Sequence, residues 1–296
     1  MNAPSDAYPV AVVGVGNMGG AMATRLLELG WPVHVHDIDR RKHVALVEAG
    51  AKAHGSPAQA VQSCEAAILG VVDAAQCEEV LFGPRGLAGA MRPGRLVMLC
   101  PTIAPQDTES LAARLARSGI DVLDAPMSGG PARARDGTMS LMLAGPHAVV
   151  ARHAALLAAL STRIFRIGAR IGDGARTKLV NNLLAGINLV GAAEALAMAR
   201  ALGLDMQRTL EVIEQSSGQS WIGSDRMRRA IAGDYAPRAH ITLLEKDTRL
   251  ALQAAERSGF SGPLGGVAAQ VFARASAAGL ADLDDAAVLR WLEGRP

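Results

Sequence analysis

A run of glycines stands where backbone could close on a phosphate. Gly14-Val15-Gly16-Asn17-Met18-Gly19-Gly20 follows the β-type run Pro9 to Val13 and passes at once into the helix-forming Ala21-Met22-Ala23-Thr24-Arg25-Leu26-Leu27. In a strand–turn–helix unit the spacing has a mechanical meaning: Gly14 permits the tight turn, Gly16 lets backbone approach a pyrophosphate, and Gly19 lets helix pack on strand. The opening turn of the helix, at Asn17 and Met18, offers N–H groups to the anion. A purely structural glycine turn is the alternative, and the order strand, glycines, helix weighs against it. Asp37 ends the next strand, near the ~20-residue spacing of an acid that accepts from both ribose hydroxyls of adenosine. Its charge would repel a 2′-phosphate, which favours NAD over NADP. Arg40 and Arg41 beside it could clamp that phosphate or stack on adenine, so NADP stays open.

Two further groups suit a small hydroxy acid. Ser128-Gly129-Gly130 leaves backbone N–H groups unobstructed and adds one hydroxyl donor, a seat for a carboxylate; ordinary turn chemistry is its bland alternative. Lys178 and Asn182 are four apart and share one helix face. Oxidising an alcohol by hydride transfer requires an acceptor for the hydroxyl proton, and a lysine whose pKa is lowered from ~10.4 by desolvation or a nearby cation can take it. Lys178 is the candidate acid/base and Asn182 the residue that orients the alcohol, set against the alternative of a solvated helix surface. No metal site is expected. His34 and His36 share a strand face without a third ligand nearby, and Cys64, Cys77 and Cys100 have neither CxxC spacing nor an even count for pairing.

The elements that must carry these residues follow from periodicity. Short β-type runs at Pro9 to Val13, Val33 to His36, Ala66 to Val72, Arg95 to Leu99, Asp121 to Leu123, Ser140 to Leu143 and Arg163 to Arg166 alternate with helical stretches such as Met18 to Leu29 and Gln106 to Arg117. That alternation predicts an α/β half with a doubly wound, mainly parallel sheet. From Ala175 to Leu202 no proline interrupts a helical pattern, with Gly203 as its stop, and Met206 to Glu214, Leu243 to Ser258 and Leu264 to Ala277 repeat the pattern. An all-α half is expected from residue 169 to 296, joined by the long helix to the sheet domain of residues 1 to 168. Gly186, Gly191, Ala192, Ala193 and Ala195 would let another helix approach that long one closely. Arg226, Arg228 and Arg229 read as a solvated helix face.

Composition narrows the partners. The 296 residues are 50% hydrophobic and carry a net charge of +2 without a long basic block, so neither an extended nucleic-acid footprint nor a polybasic membrane anchor is expected. Only four Phe, three Trp and two Tyr are available to stack bases or sugars. The first residues lack a basic leader and no run reaches the ~18 apolar residues of a membrane span, so the expectation is a cytoplasmic protein with a small-molecule partner.

Four more patches, Cys100-Pro101-Thr102, Asp124-Ala125-Pro126-Met127-Ser128-Gly129-Gly130, Lys178-Leu179-Val180-Asn181-Asn182 and Glu245-Lys246-Asp247, follow the glycine fingerprint in order. Together with it they resemble the β-hydroxyacid dehydrogenase family, which includes 3-hydroxyisobutyrate, L-threonate and tartronate semialdehyde enzymes, over nearly the whole chain. The resemblance implies a Rossmann domain, a helical C-terminal domain, an active site in the cleft between them and dimeric or tetrameric assembly. It also implies that Thr102 and Lys246 lie on the cofactor side near the nicotinamide, with Asp247 orienting Lys246. The loop after Gly130, with Arg133 and Arg135, departs from many relatives and looks closer to the L-threonate branch. Ser216-Ser217-Gly218-Gln219-Ser220-Trp221 also suits that branch, though 3-hydroxyisobutyrate dehydrogenases carry a similar Ser-Gly and Trp segment; Trp221 is a candidate pocket wall or a core or interface residue. Pro101 stands where relatives often have serine. Imine reductases and non-catalytic nucleotide-sensing proteins share the architecture; Lys178 speaks against the first, and the set Ser128, Lys178, Asn182 against the second.

Overall fold

The structure, a computed structural model, describes residues 6–294. The chain divides after Lys178 into two compact units. In the first, β1 (Val10–Val13) lies within a parallel ladder that runs on one side to β2 (Val33–His36) and β3 (Lys52–Ala53). On the other side it runs to β4 (Ala66–Leu69), β5 (Leu96–Leu99) and β6 (Asp121–Asp124). Next come β7 (Met127–Ser128), β8 (Ser140–Ala144) and β9 (Arg163–Gly168): β8 is antiparallel to β6 and β7 and parallel to β9. The central strands are apolar on both sides because both faces are covered. Val10 and Val12 pack with Met22 and Leu26 of α1 (Asn17–Glu28), while Ala11 and Val13 point the other way.

The remaining crossover helices sort by face. On the α1 side lie α2 (Val44–Glu48), α6 (Gly130–Asp136), α7 (His147–Arg152) and α8 (Ala154–Leu160), which contribute Leu46, Ala134, Val149 and Leu157 to that core. Helices α3 (Pro57–Val61), α4 (Ala74–Phe82) and α5 (Pro105–Arg117) contribute Val61, Leu81 and Leu115 to the other. All seven expected strands form. The third ends at Leu69 rather than Val72, with the Gly70 N–H bonding the Val13 carbonyl at 2.8 Å as the last rung beside β1. β3 and β7 were not expected: two residues are too few to show a period, and pairing with β2 and β8 creates them.

The second unit begins within α9 (Asp173–Ala201), whose 29 residues span about 44 Å. Gly203, at φ +74°, ends it, with Leu204 and Gly203 donating back to Ala199 and Arg200. By length and composition α9 could cross a membrane, yet Leu189, Ala193 and Leu196 sit in the core of this unit. Helices α10 (Met206–Glu214), α11 (Trp221–Ile231), α12 (Ile241–Arg257), α13 (Pro263–Ala275) and α14 (Val288–Leu292) complete it. Gly186 does admit close neighbours: a Cβ there would lie 2.8 Å from Thr248 of α12 and 3.2 Å from the Phe272 ring of α13. Gly191 has nothing within 4 Å.

The arginines of α11 require a correction. Arg228 is exposed and forks onto Glu214, but Arg226 is half-buried and Arg229 buried, and they pair with Asp285 at 2.5 Å and Asp284 at 2.9 Å. Those carboxylates lie far downstream, so no local pattern could announce them. Asp284 also accepts from the backbone of Arg238, in the segment between α11 and α12, and of Ala286.

Phe272 is fully buried against Gly186. Phe272→Ala is expected to lower unfolding free energy by about 3–5 kcal/mol in urea titration, with the slope unchanged.

Candidate active site

The glycine turn is built as a close backbone approach. Gly14 has φ +86°, and a Cβ on Gly19 would fall 1.9 Å from the Gly14 carbonyl oxygen, so α1 can start against β1 only with a bare backbone there. Gly16 faces open space, and no side chain caps the start of α1. Sheet order reverses beside β1, between β2 and β4, the crevice at which doubly wound sheets bind ligands. Gly70 completes the turn: its missing Cβ would meet the Gly14 oxygen at 2.6 Å. Sequence reading passed over Gly70, whose only local signal was one glycine closing a β-type run.

Asp37 is buried at the end of β2. One carboxylate oxygen accepts the Val15 N–H at 2.9 Å and the other accepts the Asp39 N–H at 2.9 Å, with Lys42 Nζ at 3.5 Å. The acid is thus tied to the glycine turn before any ribose arrives. Its own N–H donates to His43 Nε2 at 2.7 Å. Arg41 forks onto both oxygens of Asp39 at 2.9 Å, which holds the Asp39 carboxyl down at about 2. Ile38, between the two acids, is 96% exposed.

Ser128 ends β7, and Gly129 and Gly130 follow at φ +126° and +76° as α6 opens; nothing lies within 4 Å of the missing Gly130 side chain. Thr102 lies in the segment after β5, in the same unit. Asp124, at the end of β6, reaches the start of α9: its Oδ2 accepts from Gly172 N at 2.9 Å and Ala175 N at 3.0 Å. A Cβ on Gly174 would lie 2.9 Å from the same carboxyl. Burial pushes Asp124 up to about 6 despite these donors. The carboxylate therefore sets where the helix bearing Lys178 begins. Lys178 is itself only 8% exposed, which removes the solvated-surface alternative for it.

In the second unit the structure joins what the sequence listed separately. Asn182 is buried and donates from Nδ2 to Asp247 Oδ2 at 2.6 Å, while its carbonyl accepts from Asn181 Nδ2 at 3.0 Å. Lys246 Nζ lies 2.8 Å from the other Asp247 oxygen. Asp247 thus orients Lys246 and also fixes the amide of Asn182, a role that sequence spacing could not reveal. Trp221 opens α11 at 43% exposure with the Arg226 guanidinium 6.0 Å from its ring, so it is no core residue. Among the described residues no group of three or more His, Cys, Asp or Glu is placed to hold a metal ion, and the three cysteines are buried free thiols. Burial moves the Cys64 and Cys100 thiols upward, away from reactivity at neutral pH.

A doubly wound sheet with an uncapped glycine turn, followed by a helical unit bearing a buried polar cluster, defines a nucleotide-dependent oxidoreductase. Residues 9–168 match the NAD binding domain of 6-phosphogluconate dehydrogenase, and residues 172–292 match the NAD-binding domain of NADP-dependent 3-hydroxyisobutyrate dehydrogenase. An L-threonate dehydrogenase of Cupriavidus necator is 39% identical over 285 residues, 96% of each chain. A 3-hydroxyisobutyrate dehydrogenase of Pseudomonas aeruginosa is 38% identical over 273 residues, 89% of this chain and 90% of that one. The crystal structure of a 3-hydroxyisobutyrate dehydrogenase from Salmonella typhimurium superposes with a TM-score of 0.91 at 34% identity, covering 96% of this chain and 99% of that one. The chain belongs to the β-hydroxyacid dehydrogenase family, NAD(P)-dependent enzymes that oxidise the hydroxyl group of hydroxy acids.

Asp124 generates a pH prediction. With its pKa raised from 3.8 to about 6, the folded chain keeps a proton that the unfolded chain has released. Its contribution to stability therefore falls as pH rises from about 4 to about 6 and is level above. Asp124→Asn keeps a carbonyl acceptor but cannot ionise, so it should abolish this component, of order 1–3 kcal/mol, in urea titrations between pH 4 and 7. A variant profile parallel to the parent's would reject the assignment. Asp124→Ala, which leaves the helix start unbonded and cannot ionise, should cost about 1–3 kcal/mol at pH 7 and more at pH 4, where the parent keeps its proton.

Proposed function

We propose that the enzyme oxidises a small 3-hydroxy acid of the L-threonate or 3-hydroxyisobutyrate type with NAD, and that Lys178 is the proton acceptor. The observation that carries this reading is the buried position of Lys178 one helical turn before Asn182, whose amide is locked by Asp247. Lysine is rarely so buried unless it is paired, and here it shares its helix face with Asn182. Ser128, Gly129 and Gly130 hold the substrate carboxylate, and Asn182 presents its amide to the alcohol. Lys178, as the neutral amine, takes the hydroxyl proton while the carbon gives up its hydride; in the reverse direction the ammonium returns the proton to the carbonyl oxygen.

NAD supplies the hydride acceptor, and this chain's part is to hold it. Gly14, Gly16, Gly19 and the opening turn at Asn17 and Met18 receive the pyrophosphate, which the open space beside Gly16 and the uncapped start of α1 support. Asp37 receives the adenosine ribose. Thr102 and Lys246 serve the nicotinamide side, with Lys246 oriented by Asp247. NAD is favoured over NADP because the Arg41 fork is committed to Asp39 and Asp37 presents a negative charge where a 2′-phosphate would sit.

The L-threonate branch is the preferred substrate assignment, supported by the similarity to the Cupriavidus necator relative and by the Arg133 and Arg135 loop. The reading places the protein in the cytoplasm as a homodimer or homotetramer without nucleic-acid or membrane partners. It keeps residues 1–168 as the nucleotide-binding domain and 169–296 as the helical one.

Lys178→Ala should reduce turnover by about 10²–10⁴-fold while calorimetric NAD affinity stays within about twofold. Near-parental turnover at the optimal pH would remove Lys178 from the chemistry. Near-ultraviolet absorbance with a panel of 3-hydroxy acids should show reduced cofactor forming first with L-threonate, and at least about tenfold better kcat/KM with NAD than with NADP.

A further inference from the structure

The first unit holds a group of histidines to which the proposed reaction assigns nothing. His34 and His36 lie on β2, His43 in the turn that follows it, and His54 just after β3. His34 Nδ1 and His54 Nε2 lie 3.1 Å apart in stacked rings and share one proton; His36 Nδ1 donates to the His54 carbonyl at 3.0 Å. His43 differs from these three in acting on a residue of the nucleotide site. Its Nε2 accepts the backbone N–H of Asp37 at 2.7 Å, so that nitrogen carries no proton and the ring is the neutral Nδ1–H tautomer.

We propose that His43 is a positioning residue for the adenosine end of the dinucleotide: its neutral ring holds the Asp37 backbone in place, and protonating that ring frees Asp37 and weakens NAD binding. This rests on the reading of Asp37 as the ribose-binding acid. An imidazolium has two donors and no acceptor. A proton on Nε2 would set N–H against N–H at a 2.7 Å contact, and the buried ring, 8% exposed, has little room to turn aside. The strain lands on Asp37, whose carboxylate is bonded to Val15 N and Asp39 N. Moving the Asp37 backbone therefore moves both the ribose acceptor and its tie to the glycine turn.

The charged groups around the ring come from three elements. β2 contributes His36, with ring centroids 6.3 Å away, and the Asp37 carboxylate at its end. The turn itself contributes Asp39, Arg40 and Lys42, and Glu48 is the ionisable residue of α2, which packs on that turn. Burial most of all, then His36 and Arg40, disfavour a proton on His43, while Asp37 and Asp39 favour one, and the net direction is downward from 6.5. The ring is neutral near pH 7 and nucleotide affinity is fully present there. It is lost as pH falls through the lowered pKa.

ADP-ribose, which carries the adenosine end without nicotinamide, is the calorimetric probe, titrated into the full-length protein between pH 5 and 8 with circular dichroism confirming the fold at each pH. In the parent the Kd should rise about 3- to 10-fold from pH 7.5 to the acid end, the worth of one buried hydrogen bond. His43→Gln offers a carbonyl acceptor that does not titrate, so it should bind like the parent at pH 7.5 and lose the acid weakening. His43→Phe, without an acceptor, should bind weakly at all pH values. A parent profile that is flat, or a His43→Gln profile parallel to it while Asp37→Ala weakens binding, overturns this inference alone. Unchanged affinity in Asp37→Ala overturns the ribose assignment and this inference with it.

Discussion

A backbone N–H group that reaches the interior needs an acceptor, and in this protein buried carboxylates meet that need at the places where chain segments must be held relative to one another. Asp124 accepts the first N–H groups around the start of α9, and so decides where the helix bearing Lys178 begins. Asp37 does the same for the glycine turn through Val15. Asp284 gathers the backbone of Arg238 and Ala286 and the guanidinium of Arg229. Asp247 applies the same device to side chains, accepting a hydrogen bond from Asn182 with one oxygen and pairing with the Lys246 ammonium through the other. A charge-assisted bond of this kind is short and directional, so each acid fixes an orientation that apolar packing alone would leave loose.

The acids also carry a cost that sets their pH behaviour. Burial opposes ionisation, and where donors do not fully offset it the carboxyl moves upward, as at Asp124 and, in the same direction, at Asp285 beside Arg226. Asp284 goes the other way, down to about 2, because Arg229 and backbone donors outweigh its desolvation. Neighbouring acids at one helix contact thus respond oppositely to burial according to how many donors each collects. His43 extends the argument to a base: a buried imidazole that must accept is held in its neutral form by the geometry that uses it.

Much of the fold was legible because the relevant patterns are short. Seven strands and the main helices follow from apolar runs and 3.6-residue periodicity, and α9 was readable from the absence of proline between Ala175 and Leu202. The glycine fingerprint was legible for the same reason, since its constraints act within a few residues. Misreadings arose where a partner was distant in sequence. Arg226 and Arg229 looked like surface because Asp284 and Asp285 lie on another segment, and two-residue β3 and β7 exist only through pairing with β2 and β8.

The amino-acid order alone determined the strand, turn and helix succession, the bare backbone at Gly14, Gly16 and Gly19, and the common helix face of Lys178 and Asn182, because each is a matter of local sterics and helical repeat. Only the tertiary structure decided that Asp247 joins Asn182 to Lys246, that Asp124 seats α9, that Gly70 closes the nucleotide turn, and that His43 braces Asp37. Those are contacts between side chains or backbones brought together by folding, and hydrogen bonds are specific to distances and angles that residue types do not encode.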